Sequence, residues 1–126
     1  MAETRGAPRE RQRVWAASTA EVPPGGRKIV DIAGQSIGLF NVHGSYVAAL
    51  NVCPHELAPV CRGRLGGTTL PSLPGDIRWG RDGEILACPW HGWEFDLLTG
   101  RALTDRRKHL RMFPVEVEGD GVYVVL

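Results

Sequence analysis

The chain has 126 residues, of which 43% are hydrophobic and 23% are charged, with a formal net charge of +1. This length suits one compact domain, and the near-neutral charge argues against binding to nucleic acid or to an acidic membrane surface. The 16 glycines and 9 prolines predict many tight turns and favour an all-β architecture over a helical bundle.

The N-terminal residues 1–13 are polar and lack the apolar segment of a signal peptide. No stretch approaches the roughly 20 apolar residues that a membrane span needs, so no membrane anchor is expected. With three cysteines and no secretory signal, we expect a cytoplasmic protein whose cysteines act as ligands rather than as a disulfide framework.

The predicted elements begin after a polar tail, residues 1–12, which is expected to be flexible because it has almost no core-forming residues. Residues 19–22 are expected to form one turn, and His43-Gly44 a hairpin turn. Apolar and β-branched runs predict strands at 14–17, 27–32, 35–42, 45–50, 84–87, 94–97, 112–117 and 122–126. We therefore predict a single domain over residues 13–126, in which a loop-rich segment of about 51–100 is inserted into a β scaffold.

Two short motifs in the inserted segment carry the candidate chemistry. Cys53-Pro54-His55 is a C-x-H motif and Cys88-Pro89-Trp90-His91 is a C-x-x-H motif, so each offers one thiolate and one imidazole. The proline after each cysteine fixes φ and removes one N–H, which stiffens the loop. Such a set fits a [2Fe–2S] cluster in which two imidazoles replace two thiolates on one iron, a change that raises the reduction potential. A Cys₂His₂ set can also hold structural zinc, although zinc sites usually pair their ligands as C-x₂₋₄-C and H-x₃₋₅-H.

These motifs, together with the run His91-Gly92-Trp93-Glu94-Phe95-Asp96, resemble those of the Rieske [2Fe–2S] family. The resemblance implies a Rieske-type iron–sulfur fold, which is an antiparallel β-sandwich base with an inserted cluster-binding subdomain. It also implies one Rieske-type [2Fe–2S] cluster per chain, with Cys53 and Cys88 on the inner iron and His55 and His91 on the outer iron near the surface. The connection from His55 to Cys88 is longer than is usual in that family.

Other positions indicate which kind of Rieske protein the sequence resembles. Quinol-oxidising members carry a disulfide between the two loops and Ser and Tyr hydroxyls after the second loop; here these positions hold Ala58, Trp90, Trp93 and Phe95. Because hydroxyl donors stabilise the reduced state, their loss predicts a potential toward the low end of the about −150 to +300 mV Rieske range. Oxygenase subunits add a mononuclear iron site, which the remaining histidines, His43 and His109, do not suggest.

The sequence therefore predicts a one-electron transfer protein that is not an enzyme by itself. The first interpretation is a ferredoxin component that takes electrons from a reductase donor and passes them to a terminal oxygenase or another oxidoreductase. One alternative is the small Rieske subunit of a larger reductase complex, similar to those of nitrite reductases. Another is a zinc-stabilised interaction module without a redox role.

Three further features have two interpretations each. For Cys61, a buried, inert thiol is favoured over a redox sensor. The basic run 106–109, with Arg111 beside it, is interpreted as a solvated loop rather than as a surface that steers an acidic partner. The stretch of roughly 61–81 is interpreted as a surface loop packed by Leu65, Leu70, Leu73 and Trp79, rather than as a flap that docks a partner or shields the cluster.

Overall fold

The computed structural model describes residues 12–54, 57–70, 78–89, 93–103, 105 and 107–126. The predicted flexible tail lies outside this part of the chain, apart from Gln12. Within the described ranges the protein forms ten strands and two short 3₁₀ turns. None of its described helical segments is long and apolar enough to cross a membrane.

The strands form three antiparallel sheets, with the orders β1-β10-β9, β2-β3-β4-β8 and β5-β6-β7. The 3₁₀ turns cover Thr19–Glu21 and Val60–Arg62. The strands are β1 (Arg13–Ser18), β2 (Arg27–Ile32), β3 (Gln35–Val42), β4 (Ser45–Leu50), β5 (Arg64–Leu70), β6 (Arg78–Ala87), β7 (Glu94–Asp96), β8 (Met112–Phe113), β9 (Val115–Glu118) and β10 (Gly121–Val125). The first two sheets build the base, and the third builds the inserted subdomain, which confirms the predicted all-β architecture.

Strand β3 lies between two hydrophobic cores and contributes side chains to both. Its odd positions Ile37 and Leu39 pack with β1 and β10 residues in the core between the base sheets. Its even positions Phe40 and Val42 pack with Cys53 and other residues of the inserted subdomain. Because successive side chains of a strand point to opposite faces, a nearly continuous apolar run is what a strand buried on both sides requires.

The interpretation of residues 61–81 as a surface loop is wrong for the described parts of that stretch. Strand β5 pairs with β6 from Arg64 opposite Ala87 to Leu70 opposite Arg78, with an irregularity between Gly66 and Thr68. Two adjacent glycines have low strand propensity, and a bulge shifts the two-residue period, so the sequence carried no clear strand signal here. Residues 71–77 and the side chains of Leu70 and Trp79 lie outside the described positions, whereas Leu65 packs against the core of the subdomain.

The base strands agree closely with the predicted ones, since β2, β3 and β4 have the predicted bounds. The predicted strand at 112–117 is instead two short strands, β8 and β9, which flank Pro114. Proline has no N–H to donate to a neighbouring strand, so the ladder is interrupted at this position.

Candidate functional site

The first predicted ligand loop begins just after β4 and is closed by backbone hydrogen bonds at its base. The N–H of Cys53 donates to the carbonyl of Ala58 at 2.8 Å, and the N–H of Leu57 donates to the carbonyl of Cys53 at 2.8 Å. The Cys53 side chain is fully buried. Leu57 has a φ of 58°, which is unusual for a residue other than glycine, and its side chain is 77% exposed.

The second predicted ligand loop begins directly after β6 and closes in the same way. The N–H of Cys88 donates to the carbonyl of Trp93 at 2.7 Å, and the Cys88 side chain is buried. In both loops, therefore, the cysteine amide bonds to the carbonyl five residues later. This shared closure fixes the backbone of each predicted thiolate ligand.

The two loops are joined through a four-residue segment, Val60–Arg62 with Gly63, which we call the 60–63 turn. A Cβ added to Gly63 would lie 1.7 Å from the carbonyl oxygen of Ala87, so the backbone at Gly63 lies directly against the residue that precedes Cys88. Arg64, the next residue, pairs with Ala87 across β5 and β6. The exit of the first loop is thereby held against the entrance of the second.

The residues present fit an iron–sulfur cluster as far as the structure describes them. Cys53 and Cys88 are buried in one hydrophobic core cluster and are not disulfide-bonded. Thiolates are the usual ligands of such clusters, and a metal supplies the positive charge that a buried thiolate needs. The predicted ligands His55 and His91 lie outside the described residues, and within those residues no group of three metal-binding side chains occurs. The four-ligand set therefore stays a prediction.

The third cysteine, Cys61, is buried as expected, and its surroundings favour an inert thiol. Its Sγ lies 3.6 Å from the carbonyl oxygen of Ala49 and against Gly38, where an added Cβ would be 2.4 Å from that sulfur. Burial, partly offset by a backbone hydrogen bond from Gly38 and by the charge of Arg27, raises the pKa of the Cys61 thiol to about 12. A thiol with so high a pKa is a poor nucleophile and a poor redox sensor.

A charged network that the sequence did not reveal links the inserted subdomain to the base. The Arg81 guanidinium contacts the Glu84 carboxylate at 2.8 Å and the Asp96 carboxylate at 2.8 Å, and these contacts raise the pKa of Arg81. His43, in the predicted hairpin turn, has its Nε2 3.5 Å from Glu84. The network ties β6 to β7 and to the β3–β4 turn, and nothing in the local sequence indicated that these residues meet.

Two apolar side chains lie in or next to the second ligand loop, and the basic run follows them in the sequence. Trp93 is half-buried, with its ring centroid 6.4 Å from that of the fully buried Phe95. Leu103, whose N–H donates to the Glu94 carbonyl, is 37% exposed. In the basic run, Arg107 is 89% exposed and pairs with Asp105, as expected for a solvated loop.

Comparisons with known proteins agree on one family. A family model described as the Rieske [2Fe–2S] domain matches residues 12–114. The chain is 30% identical over 112 residues to the ferredoxin component of the naphthalene 1,2-dioxygenase system of Pseudomonas aeruginosa, and the match covers 88% of this chain and 92% of that protein.

Two solved structures at 24% identity show the same fold. One is a chain of the complex of reduced oxygenase and oxidised ferredoxin in carbazole 1,9a-dioxygenase, with a TM-score of 0.71 and coverage of 90% of this chain and 92% of that chain. The other, from Mycobacterium tuberculosis, is described as an NADH-dependent nitrite reductase small subunit, with a TM-score of 0.69 and coverage of 93% and 96%.

Proposed function

We propose a ferredoxin role for this chain, which belongs to the Rieske [2Fe–2S] domain family and carries the cluster of that family. In this role it takes single electrons from a reductase and delivers them to a terminal oxygenase. The proposal depends mainly on one observation: the chain is 30% identical in sequence to a dioxygenase ferredoxin component over most of both chains. The family favours the iron–sulfur cluster over the zinc alternative.

The alternative of a small subunit in a larger reductase complex has weaker support. The fold is shared about equally with the carbazole dioxygenase complex and with the nitrite reductase small subunit, at TM-scores of 0.71 and 0.69. Fold likeness alone does not separate a mobile carrier from a fixed subunit. Sequence identity favours the carrier, and we therefore place the carrier first.

We further propose that Cys53, His55, Cys88 and His91 hold the cluster. When bound, the cluster accepts and releases one electron. The chain contributes buried thiolates on two loops whose cysteine amides are already bonded within the loop. A fixed backbone lowers the rearrangement that accompanies a change of charge, so the site favours rapid electron exchange without any bond-making chemistry. The chain itself is then not an enzyme.

The redox partners are proposed to dock beside the first ligand loop. Leu57 exposes 77% of its surface there and has a left-handed φ of 58°, a conformation that costs free energy in a residue other than glycine. An exposed leucine of this kind suits an apolar contact that is made and broken repeatedly. The predicted cytoplasmic location and the predicted lack of nucleic-acid binding stay predictions.

The proposal is tested by spectroelectrochemical titration of anaerobically purified protein, with iron and sulfide counted on the same sample. We expect two irons and two sulfides per chain and a potential toward the low end of the about −150 to +300 mV Rieske range. Zinc without a redox signal would overturn the proposal. Stable co-purification with one large reductase subunit would replace the carrier by the fixed-subunit alternative.

The ligand assignment has a matched control within the same core. Cys53→Ala and Cys88→Ala are each expected to abolish cluster binding, because a [2Fe–2S] cluster needs four protein ligands. Cys61→Ala removes a thiol from the same hydrophobic cluster and is expected to keep two irons per chain. Retention of the cluster in either ligand variant would exclude that residue as a ligand.

A further inference from the structure

The 60–63 turn buries Val60 and Cys61 in the core of the inserted subdomain, and side chains of the base bind its backbone. It is a single 3₁₀ turn, with one internal bond from the Gly63 N–H to the Val60 carbonyl at 2.9 Å. Short 3₁₀ turns have poor hydrogen-bond geometry and little intrinsic stability. This turn nevertheless connects the first ligand loop to the backbone that abuts Ala87, so its position sets the position of one ligand loop relative to the other.

Arg27 on β2 binds the carbonyl side of the turn. Its Nη1 donates to the Cys61 carbonyl at 2.8 Å and also to the Gly63 carbonyl. The two carbonyls lie on either side of Arg62, so one guanidinium fixes both the direction and the end of the turn. Charge-assisted bonds of this kind are stronger than bonds between neutral groups.

Asn51, just after β4, binds the amide side of the same turn. Its Oδ1 accepts the Cys61 N–H at 2.8 Å, while its Nδ2 donates to Ser36 Oγ at 3.1 Å. The Asn51 side chain is nearly buried, so its amide is held in one orientation. The N–H and the carbonyl of Cys61 are therefore each hydrogen-bonded to a side chain of the base.

We propose that Arg27 and Asn51 are positioning residues for the iron–sulfur cluster, acting through the 60–63 turn. This inference rests on the proposed function, since it concerns the same cluster. Arg27 does not belong to the hydrophobic core, and the two hydrogen bonds of its guanidinium described above both go to the 60–63 turn. Its removal therefore alters where the first ligand loop sits, and with it the geometry of the cluster, more than it alters the base.

The test compares Arg27→Met with Arg27→Lys and with Lys28→Met. Lys28 is the matched control because it is the next residue on β2 and its Nζ pairs with Glu21 at 3.0 Å, away from the turn. In Arg27→Met we expect cluster loss to a chelator about tenfold faster than in the wild type, as the loss of a charge-assisted hydrogen bond allows. We also expect broader EPR lines of the reduced cluster and a shifted reduction potential.

The controls separate positioning from charge and from stability. Arg27→Lys keeps the positive charge and a nitrogen that can donate hydrogen bonds, and is expected to recover most of the wild-type EPR spectrum and potential. Asn51→Ala is expected to change the same signals in the same direction as Arg27→Met. Lower thermal stability with an unchanged EPR spectrum and potential would overturn the inference, as would equal behaviour of Arg27→Met and Lys28→Met. A wild-type chain without a [2Fe–2S] cluster would instead refute the proposed function itself.

Discussion

Replacing Gly63 with alanine tests how the two ligand loops are joined. The added Cβ would lie 1.7 Å from the Ala87 carbonyl oxygen, 2.8 Å from the Ala87 carbonyl carbon and 3.1 Å from the Val60 carbonyl oxygen. All three are backbone atoms, so no side chain can rotate away to make room. The backbone must separate at this point by more than 1 Å, which breaks the start of the β5–β6 ladder.

The expected magnitude follows from this geometry. Overpacking costs typically 1–3 kcal/mol when side chains can adjust, and here only backbone can move. We therefore expect the free energy of unfolding to fall by about 3 kcal/mol or more, with loss of iron because Cys88 directly follows Ala87. Urea unfolding followed by circular dichroism, with iron analysis of the same preparation, measures both effects.

Gly66→Ala is the matched control on the same strand. An added Cβ there meets nothing within 4 Å, so the variant is expected to keep its cluster and to change the unfolding free energy by less than about 1 kcal/mol. If Gly63→Ala and Gly66→Ala behaved alike, the close approach of the 60–63 turn to Ala87 would be wrong.

Three other predictions follow from single residues. The pKa of Cys61, raised to about 12 by burial, keeps the thiol protonated in the folded chain while the unfolded chain ionises near its ordinary value. Stability should therefore fall as pH rises from about 9 to 12, by up to ~4 kcal/mol; Cys61→Ala should remove this part of the loss in urea titrations, and an unchanged slope would contradict it. Leu57→Asn should leave thermal stability unchanged or higher, since asparagine tolerates the left-handed φ. It should nevertheless slow electron transfer to the proposed oxygenase partner in stopped-flow mixing, and an unchanged rate would exclude docking at Leu57. Phe95→Tyr should raise the reduction potential by about 40 mV for each ~1 kcal/mol by which a new hydroxyl favours the reduced cluster. Phe95→Leu adds no hydroxyl and should not raise it. If the potential rose in both variants, altered packing rather than a hydrogen bond would be the cause.

Local patterns were sufficient for much of the fold and for locating the two cysteine loops, whose ligand role stays a prediction. Strands such as β2 and β3 are marked by apolar and β-branched runs bounded by glycine and polar turns, and the two cysteine motifs are short and specific. The predicted strand at 84–87 covers the end of β6, whereas β5 and the start of β6 were missed because Gly66-Gly67 and a bulge hide the two-residue period. The contacts of Arg27 with Cys61 and Gly63 span 34 and 36 residues of sequence, and no local pattern encodes a side chain that bonds to distant carbonyls.

Two glycines also show that contacts between residues distant in sequence cannot be predicted from local patterns. Gly63 and Gly38 are visible in the sequence, but the atoms they approach, the Ala87 carbonyl and the Cys61 sulfur, are fixed only by the tertiary structure. A glycine at an ordinary φ gives no local sign that space, rather than backbone freedom, requires it. Such positions are found only once the partner strand or turn is in place.

The double burial of β3 means that the parity of a residue number on this strand decides which property a substitution changes. An exchange such as Ile37→Val removes volume from the core between the base sheets and should shift the unfolding midpoint alone. An exchange such as Phe40→Leu removes volume from the core that holds Cys53 and Cys88 and should also register in the spectrum of the cluster. Substitutions at the odd positions of β3 should therefore change the stability of the base, and those at the even positions should also change the surroundings of the cluster, although the two kinds of position are adjacent in the chain.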